Sequence, residues 1–406
     1  MRRSLFIMAL LSMHFYATAQ FSQNEEKQIV VGAVDSLFSE TLHEQREIWV
    51  HVPEKMEEGK KYPVIYVLDG AGHFYTVTGI LKLLEKWNVP KSIVVGIPNT
   101  DRTRDFTPTN VAFQRGQKSE TSGGAPKFIK FIQEELKPYV KSKYPIDTMS
   151  TIIGHSTGGL FVLYAYTHHS DVFDNYVAID PSLWWDKEKL VKQSERLLNN
   201  ASTYQNKSLY VAAANSTGID TVKIRKLKSV PTEMLRANLH FHDILVQHKS
   251  HLEFTWDYQG NEDHGSVVVP AMYNGLRAAF SWYPFPERWR FNTPKAYSAK
   301  ELTEPFYAHF EEVSKRFKRE IKPEWQFIND VGFFILTSHK LPKKAQAYLE
   351  MNLKYYPNES RSYVAMGDYY TLRKNKNEAI KHFEKAIAID GNKEAQVKLN
   401  TLNKGK

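Results

Sequence analysis

Short β-branched runs alternate with helical stretches from about residue 45 to residue 282, and no other feature restricts the possible folds so sharply. The runs lie at 48–52, 63–68, 93–97, 150–153, 176–179, 209–213 and 253–258. Such alternation builds a mostly parallel sheet with helices on both faces, because each crossover lays a helix against one side. Between 126 and 141, Phe128, Ile129, Ile132, Leu136 and Val140 recur at helical spacing, with Pro126 suited to the first turn. Residues 100 to 124 are rich in Thr, Arg, Gly and Ser without periodicity, which predicts a surface excursion near the strand ends.

The C-terminal part follows a different rule. Tyr363, Gly367, Tyr370, Ala379, Phe383 and Ala386 fall at the positions of a tetratricopeptide repeat, whose period is about 34 residues. Ala345 and Leu349 stand one period before Ala379 and Phe383, Pro357 takes the terminal proline position, and Gly391 replaces the proline in the second copy. Two copies fall short of the roughly three needed for independent stability, so this all-α unit packs on the larger domain or presents a surface to a protein partner. A chain of 406 residues exceeds one core of about 250 to 300 residues. The expected division is a leader at 1–19, an α/β domain at 20–285, a linker with a helix at 286–325 and TPR-like helical repeats at 326–404.

Met1-Arg2-Arg3, the apolar run from Leu5 to Leu11 and Ala17-Thr18-Ala19 have the order of a signal peptide cleaved before Gln20. No later stretch approaches the roughly 18 to 20 apolar residues of a membrane span. Cys is absent, which excludes disulfides and Cys-ligated metal, and export without disulfides suggests a bacterial periplasm or the cell exterior. The net charge of +9 is spread over scattered basic residues, and no nucleic-acid motif with interleaved aromatics accompanies it.

Gly154-His155-Ser156-Thr157-Gly158 is a G-x-S-x-G box placed after the strand at 150–153 and before an apolar helix, the context in which the serine is a nucleophile. A serine hydroxyl needs a base, and Asp263-His264-Gly265-Ser266, after the last strand, supplies His264. An acid should orient that imidazole. Asp220, the first acidic residue after the strand at 209–213, is the leading candidate; Glu233, at the start of the next helix, and Asp180, just after the strand at 176–179, are its rivals. The developing oxyanion needs two backbone N–H groups, one from Thr157 and one from Asp69-Gly70-Ala71, with Ala71 before Gly70. The Asp69 side chain is expected to hold its turn.

Leu68-Asp69-Gly70, Gly154-His155-Ser156-Thr157-Gly158-Gly159, Pro181-Ser182-Leu183-Trp184-Trp185 and Asp263-His264-Gly265, in this order, resemble the putative esterase family. It includes esterase D, enterobactin-type siderophore esterases, feruloyl esterases and mycolyltransferases. The resemblance covers about residues 45 to 282. It implies an α/β-hydrolase fold without metal or cofactor, a small-molecule or carbohydrate-linked ester as substrate, and roles for Ser156, His264 and the amides of Ala71 and Thr157. Asp180 is a departure: siderophore-esterase relatives often carry serine before Pro-Ser-Leu.

Trp184 and Trp185 follow a strand end where they would stack on an aromatic or sugar group, against the alternative of plain packing. Arg102 is a candidate for binding a substrate carboxylate or catecholate, with Arg104 more suited to an ion pair with Asp105. His240, His242, His248 and His251 cluster without a metal-ligand spacing. Beside ester hydrolysis stand two other expectations: an inactive hydrolase-fold platform for repeat-mediated assembly, and acyl transfer by the same residues.

Overall fold

A computed structural model describes residues 28–85 and 88–404. The leader expected at 1–19 lies outside the described residues. The described residues form ten strands: β1 (Ala33–Ser39), β2 (Glu44–His51), β3 (Tyr62–Leu68), β4 (Ile93–Ile97), a small hairpin of β5 (Phe113–Gln114) and β6 (Gln117–Lys118), then β7 (Ile146–His155), β8 (Asn175–Ile179), β9 (Ser208–Ala214) and β10 (Glu253–Gln259). Eight of them make one sheet in the order β1-β2-β4-β3-β7-β8-β9-β10. From β4 to β10 the strands run parallel, while β2 and β1 join antiparallel at one edge. With helices against the sheet, this is the α/β-hydrolase architecture.

Residue character follows position in the sheet. Every residue of the central strands β3, β8 and β9 is buried, as expected of parallel strands covered on both faces. The edge strand β10 is only half-buried, and β1 leaves Val34 and Phe38 exposed. β1 carries no continuous β-branched run, which is why pattern alone does not reveal it; it is specified by its pairing with β2, from Ala33 opposite Val50 to Ser39 opposite Glu44.

The stretch expected as one helix at 126–141 is helical throughout but changes gauge. An α-helix at Ala125–Phe131 passes through a π-turn at Ile132–Leu136 into a second α-helix at Lys137–Lys143, with the Lys137 N–H bonded to the Ile132 carbonyl. Pro138 has no N–H to donate to the preceding turn, and the wider π-turn accommodates it.

Six C-terminal helices follow, at Ala299–Phe317, Trp325–Thr337, Pro342–Tyr355, Ser360–Leu372, Lys376–Asp390 and Lys393–Lys404. Ala345 and Leu349 are buried with Phe291, Phe306 and Tyr348, and Ala379, Phe383 and Ala386 are buried in the next layer. Gly367 has a steric reason: a Cβ there would lie 2.4 Å from the Phe383 ring. Residues 286–325 contribute Phe291, Leu302 and Phe306 to the same core, and their long helix opens on a Ser298–Glu301 capping box.

This helical part is fastened to the sheet at the starts of the strands. Arg319 pairs with Asp147 at the start of β7 and donates to the Lys61 carbonyl just before β3 (2.9 Å). Arg316 faces Glu253 at the start of β10 (3.5 Å), and Phe317 packs edge-on against Trp282 (5.6 Å).

Candidate active site

The candidate site lies at the opposite ends of the strands. Ser156 follows β7 with φ 61° and ψ −120°, a left-handed conformation for a residue with a side chain. The turn is held because its neighbours have no room for one: a Cβ on Gly154 would lie 2.4 Å from the Gly158 carbonyl oxygen, and one on Gly159 3.1 Å from Pro181. Ser156 N donates to Ile179 O (3.0 Å), and its own carbonyl accepts from Ser182 N (2.9 Å). The strained turn thrusts Oγ out at the top of the sheet.

The Ser156 hydroxyl donates to Nε2 of His264 (3.0 Å), and Nδ1 of His264 donates to Oδ2 of Asp180 (2.6 Å). Asp180 is 1% exposed, and its Oδ1 accepts from Ala214 N and Asn238 Nδ2, both at 3.1 Å. A buried carboxylate with all three donors in place can hold an imidazole in one tautomer and balance its positive charge. The His264 loop is itself fixed: Asp263 accepts from Gly265 N and Ser266 N (both 2.8 Å), and His264 N donates to Ser216 Oγ (3.0 Å).

Asp220 is not at this site. Its Oδ1 accepts from Val222 N (2.9 Å) and Lys223 N (3.3 Å), capping the short helix Thr221–Ile224. The loop after β9 turns its own helix there instead of reaching back, so the leading sequence expectation for the acid fails. Glu233 pairs with Arg115. The third candidate, Asp180, stands beside His264. Its signal in the sequence is its place at the end of β8, directly before Pro181-Ser182, in register with the strand that precedes Ser156.

The amides expected to hold an oxyanion sit in the first turns of two helices, Gly70–Leu84 and Thr157–His168. First-turn N–H groups have no carbonyl one turn back, so those of Ala71 and Thr157 are available to a ligand. Arg102, expected at the substrate, has its guanidinium engaged elsewhere: Nε and Nη2 donate to Asp69 (2.6 and 3.0 Å), Nη2 also to His155 O (3.1 Å), and Nη1 to Thr157 Oγ1. Arg104 pairs with Glu44 and with Asp105, as foreseen for the latter.

The two tryptophans part company. Trp185 is buried, donates through its indole to Thr109 Oγ1 (3.1 Å), and lines a cavity of ≈250 Å³ with Leu160, Tyr164 and His168. Trp184 is half-buried beneath the Arg115 guanidinium, 3.8 Å from the ring centre, so the β5–β6 hairpin folds onto the loop after β8. Sequence reading did not single out His155 as a site residue. Its ring lies 4.5 Å from that of His264, its Nε2 donates to the His264 carbonyl (2.8 Å), and burial together with the neighbouring His264 holds it down to about 4. It is therefore a neutral partner at ordinary pH.

The histidine cluster is spent on packing. His240 meets Glu188 (3.0 Å), His242 stacks on Trp256 (4.6 Å), and His248 and His251 bond to the Ile244 and Leu198 carbonyls. Among the described residues no group of three or more His, Asp or Glu is placed to hold a metal, and no helix is long and apolar enough to cross a membrane.

The chain is similar to known proteins over part of its length. The ferri-bacillibactin esterase BesA of Bacillus subtilis (strain 168) is 34% identical over 169 residues, a match that covers 37% of this chain and 58% of that protein. The siderophore enterobactin esterase of Emericella nidulans is 28% identical over 251 residues, covering 54% of this chain and 82% of that protein. The crystal structure of an IroE-like serine hydrolase from Shewanella oneidensis superimposes with a TM-score of 0.66 at 28% identity, covering 80% of this chain and 99% of that one. The family described as "Putative esterase" matches residues 39–267, more than half of the sequence and the whole stretch from β2 through His264, and the chain belongs to that family.

Proposed function

We propose that the protein hydrolyses a carboxylic ester through an acyl-enzyme on Ser156, and that the ester belongs to the siderophore class on which its relatives act. The observation that carries this reading is the unbroken line from Ser156 Oγ to His264 Nε2 (3.0 Å) and from His264 Nδ1 to Asp180 Oδ2 (2.6 Å). In the proposed reaction His264 takes the Ser156 proton as Oγ attacks the ester carbonyl. The carbonyl oxygen, now negative, is held by the amides of Ala71 and Thr157. Collapse expels the alcohol, which receives the proton from His264, and leaves the acyl group on Oγ. Water then attacks in the same way, giving up a proton to His264, and the acid departs as that proton returns to Ser156. Asp180, bonded to Nδ1, stabilises the imidazolium. Export completes the reading, resting on the basic, apolar and Ala-x-Ala order of residues 1–19.

A fluorophosphonate probe tests the first part, since it reacts only with a serine activated by base and oxyanion hole. Labelling at Ser156, lost in Ser156→Ala, together with release of acid from a ferric catecholate triester, supports the proposal. Folded wild-type protein that resists the probe overturns it.

A further inference from the structure

The Asp180 carboxylate can orient an imidazole only if its plane is set. Oδ2 must meet His264 Nδ1 near a lone-pair direction, yet rotation about the last bond of an aspartate side chain is soft. The main chain there is already constrained: Asp180 stands in a left-handed conformation (φ 38°), and its N–H donates to the Ala212 carbonyl (2.9 Å). That fixes where the side chain starts but not how the carboxylate is turned. Turning is decided at the other oxygen, Oδ1, by two donors at 3.1 Å from different elements. One is the Ala214 N–H at the end of β9, and the other is Asn238 Nδ2 on the helix Glu233–Gln247.

Asn238 is out of place as a packing residue. It is 0% exposed, among the buried Leu235, Ala237, Leu239 and Phe241 that seat this helix. Asn is a poor helix former, because its amide competes with the backbone for hydrogen bonds. Among the described residues its Oδ1 has no hydrogen-bond partner, a cost that a leucine of similar volume would not carry. The contact with Asp180 offsets this cost. Only the Nδ2 end can face a carboxylate, since the Oδ1 end would set two acceptors against each other. The helix is held in turn: Leu235 and Leu239 pack with Ala213, next to Ala214, while Glu233 pairs with Arg115 and His240 meets Glu188 (3.0 Å). Both donors to Oδ1 therefore belong to one rigid frame.

We propose that Asn238 is a positioning residue for the acid of the triad, its amide turning the Asp180 carboxylate so that Oδ2 faces His264; this rests on the ester-hydrolase reading above. The Ala214 N–H alone makes Oδ1 a pivot about which Oδ2 can swing. A second donor from another element defines the plane. The buried, unpartnered carbonyl of Asn238 is then what the fold tolerates in order to place an N–H beside the acid.

The test uses the full-length protein with p-nitrophenyl butyrate as substrate. Asn238→Leu keeps the volume and removes the donor, and it is expected to lower kcat by about 10- to 10²-fold, the worth of one hydrogen bond to a charged group, with KM nearly unchanged. In an Asp180→Ala background the same substitution should add almost nothing, because the group it positions is gone. The downfield proton resonance of the His264 Nδ1–H, assigned by its absence from His264→Gln, should move or broaden in Asn238→Leu, which lost packing alone would not produce. Parental kcat in folded Asn238→Leu overturns the proposal. So do full additivity with Asp180→Ala, an unchanged resonance, or a rise in KM at constant kcat. Should Asn238→Leu fail to fold, Asn238→Ala and Asn238→Ser carry the same comparison. Fluorophosphonate labelling of wild-type Ser156 separates the two levels: labelling, with Asn238 variants at parental kcat, sinks only the positioning role, whereas no labelling of the folded protein sinks the hydrolase reading itself.

Discussion

Asp180 grips His264 with one oxygen and the end of β9 with the other: Oδ2 lies 2.6 Å from Nδ1, while Oδ1 accepts the Ala214 N–H at 3.1 Å. The acid is therefore tied into the sheet. Asp180→Asn should cost about 10⁴-fold in kcat, by loss of the tautomer and of the imidazolium's counter-charge. Asp220→Ala should leave turnover at the parental level and cost roughly 0.5–2 kcal/mol of stability through the lost helix cap. Steady-state kinetics and denaturant melts on the two variants check this. A larger kinetic loss at Asp220 would contradict it.

The parts of the site that sequence revealed are those set by local sterics. Ser156 needs glycines at 154, 158 and 159 to let strand and helix approach, and those glycines are visible as a motif. His264 follows the last strand, and its turn is written in Asp263 and Ser266. The acid was harder, because a loop's direction depends on what it packs against. Asp220 met the rule of chain order but found its own amides two and three residues on, a local bond that needs no tertiary partner. The contact of Arg102 with Asp69 is invisible for a related reason: pairing residue 102 with residue 69 requires β3 and β4 to lie side by side. Likewise β1 shows no alternation to read, since only its register with β2 defines it.

His155 predicts a pH dependence of stability. Its imidazole is held down to about 4 by burial and by His264, whereas in the unfolded chain it titrates near 6.5. The unfolded state thus binds the proton more readily between those values. The associated stability is complete above about pH 6.5, drains as pH falls toward 4 and is gone below that. His155→Gln, which can still donate to the His264 carbonyl, should flatten the unfolding free energy between pH 7 and 4.5 by on the order of 3 kcal/mol. Identical slopes for variant and parent in urea melts would refute the assignment.

Arg319→Ala tests the fastening of the C-terminal helices. Asp147 is 2% exposed in its side chain and loses its cationic partner, although Thr148 N still donates to it (2.6 Å). With Arg319 itself one-third exposed, the expected loss is roughly 1–3 kcal/mol. The value of kcat/KM on a small ester should stay at the parental level, since Asp147 and Ser156 lie at opposite ends of β7. A fall in kcat/KM without unfolding would show that the helices shape the active site from a distance.

That polarity has a consequence for how such a chain can change over generations. Attachment is recorded at the starts of β3, β7 and β10, and reactivity in the loops beyond their far ends. A substitution that refits the mouth to a different ester need not renegotiate the grip on the helical stack, and the stack can be exchanged or redecorated without disturbing the nucleophile. The buried strands between them act as a common spacer, so the two ends are free to be selected on separate grounds.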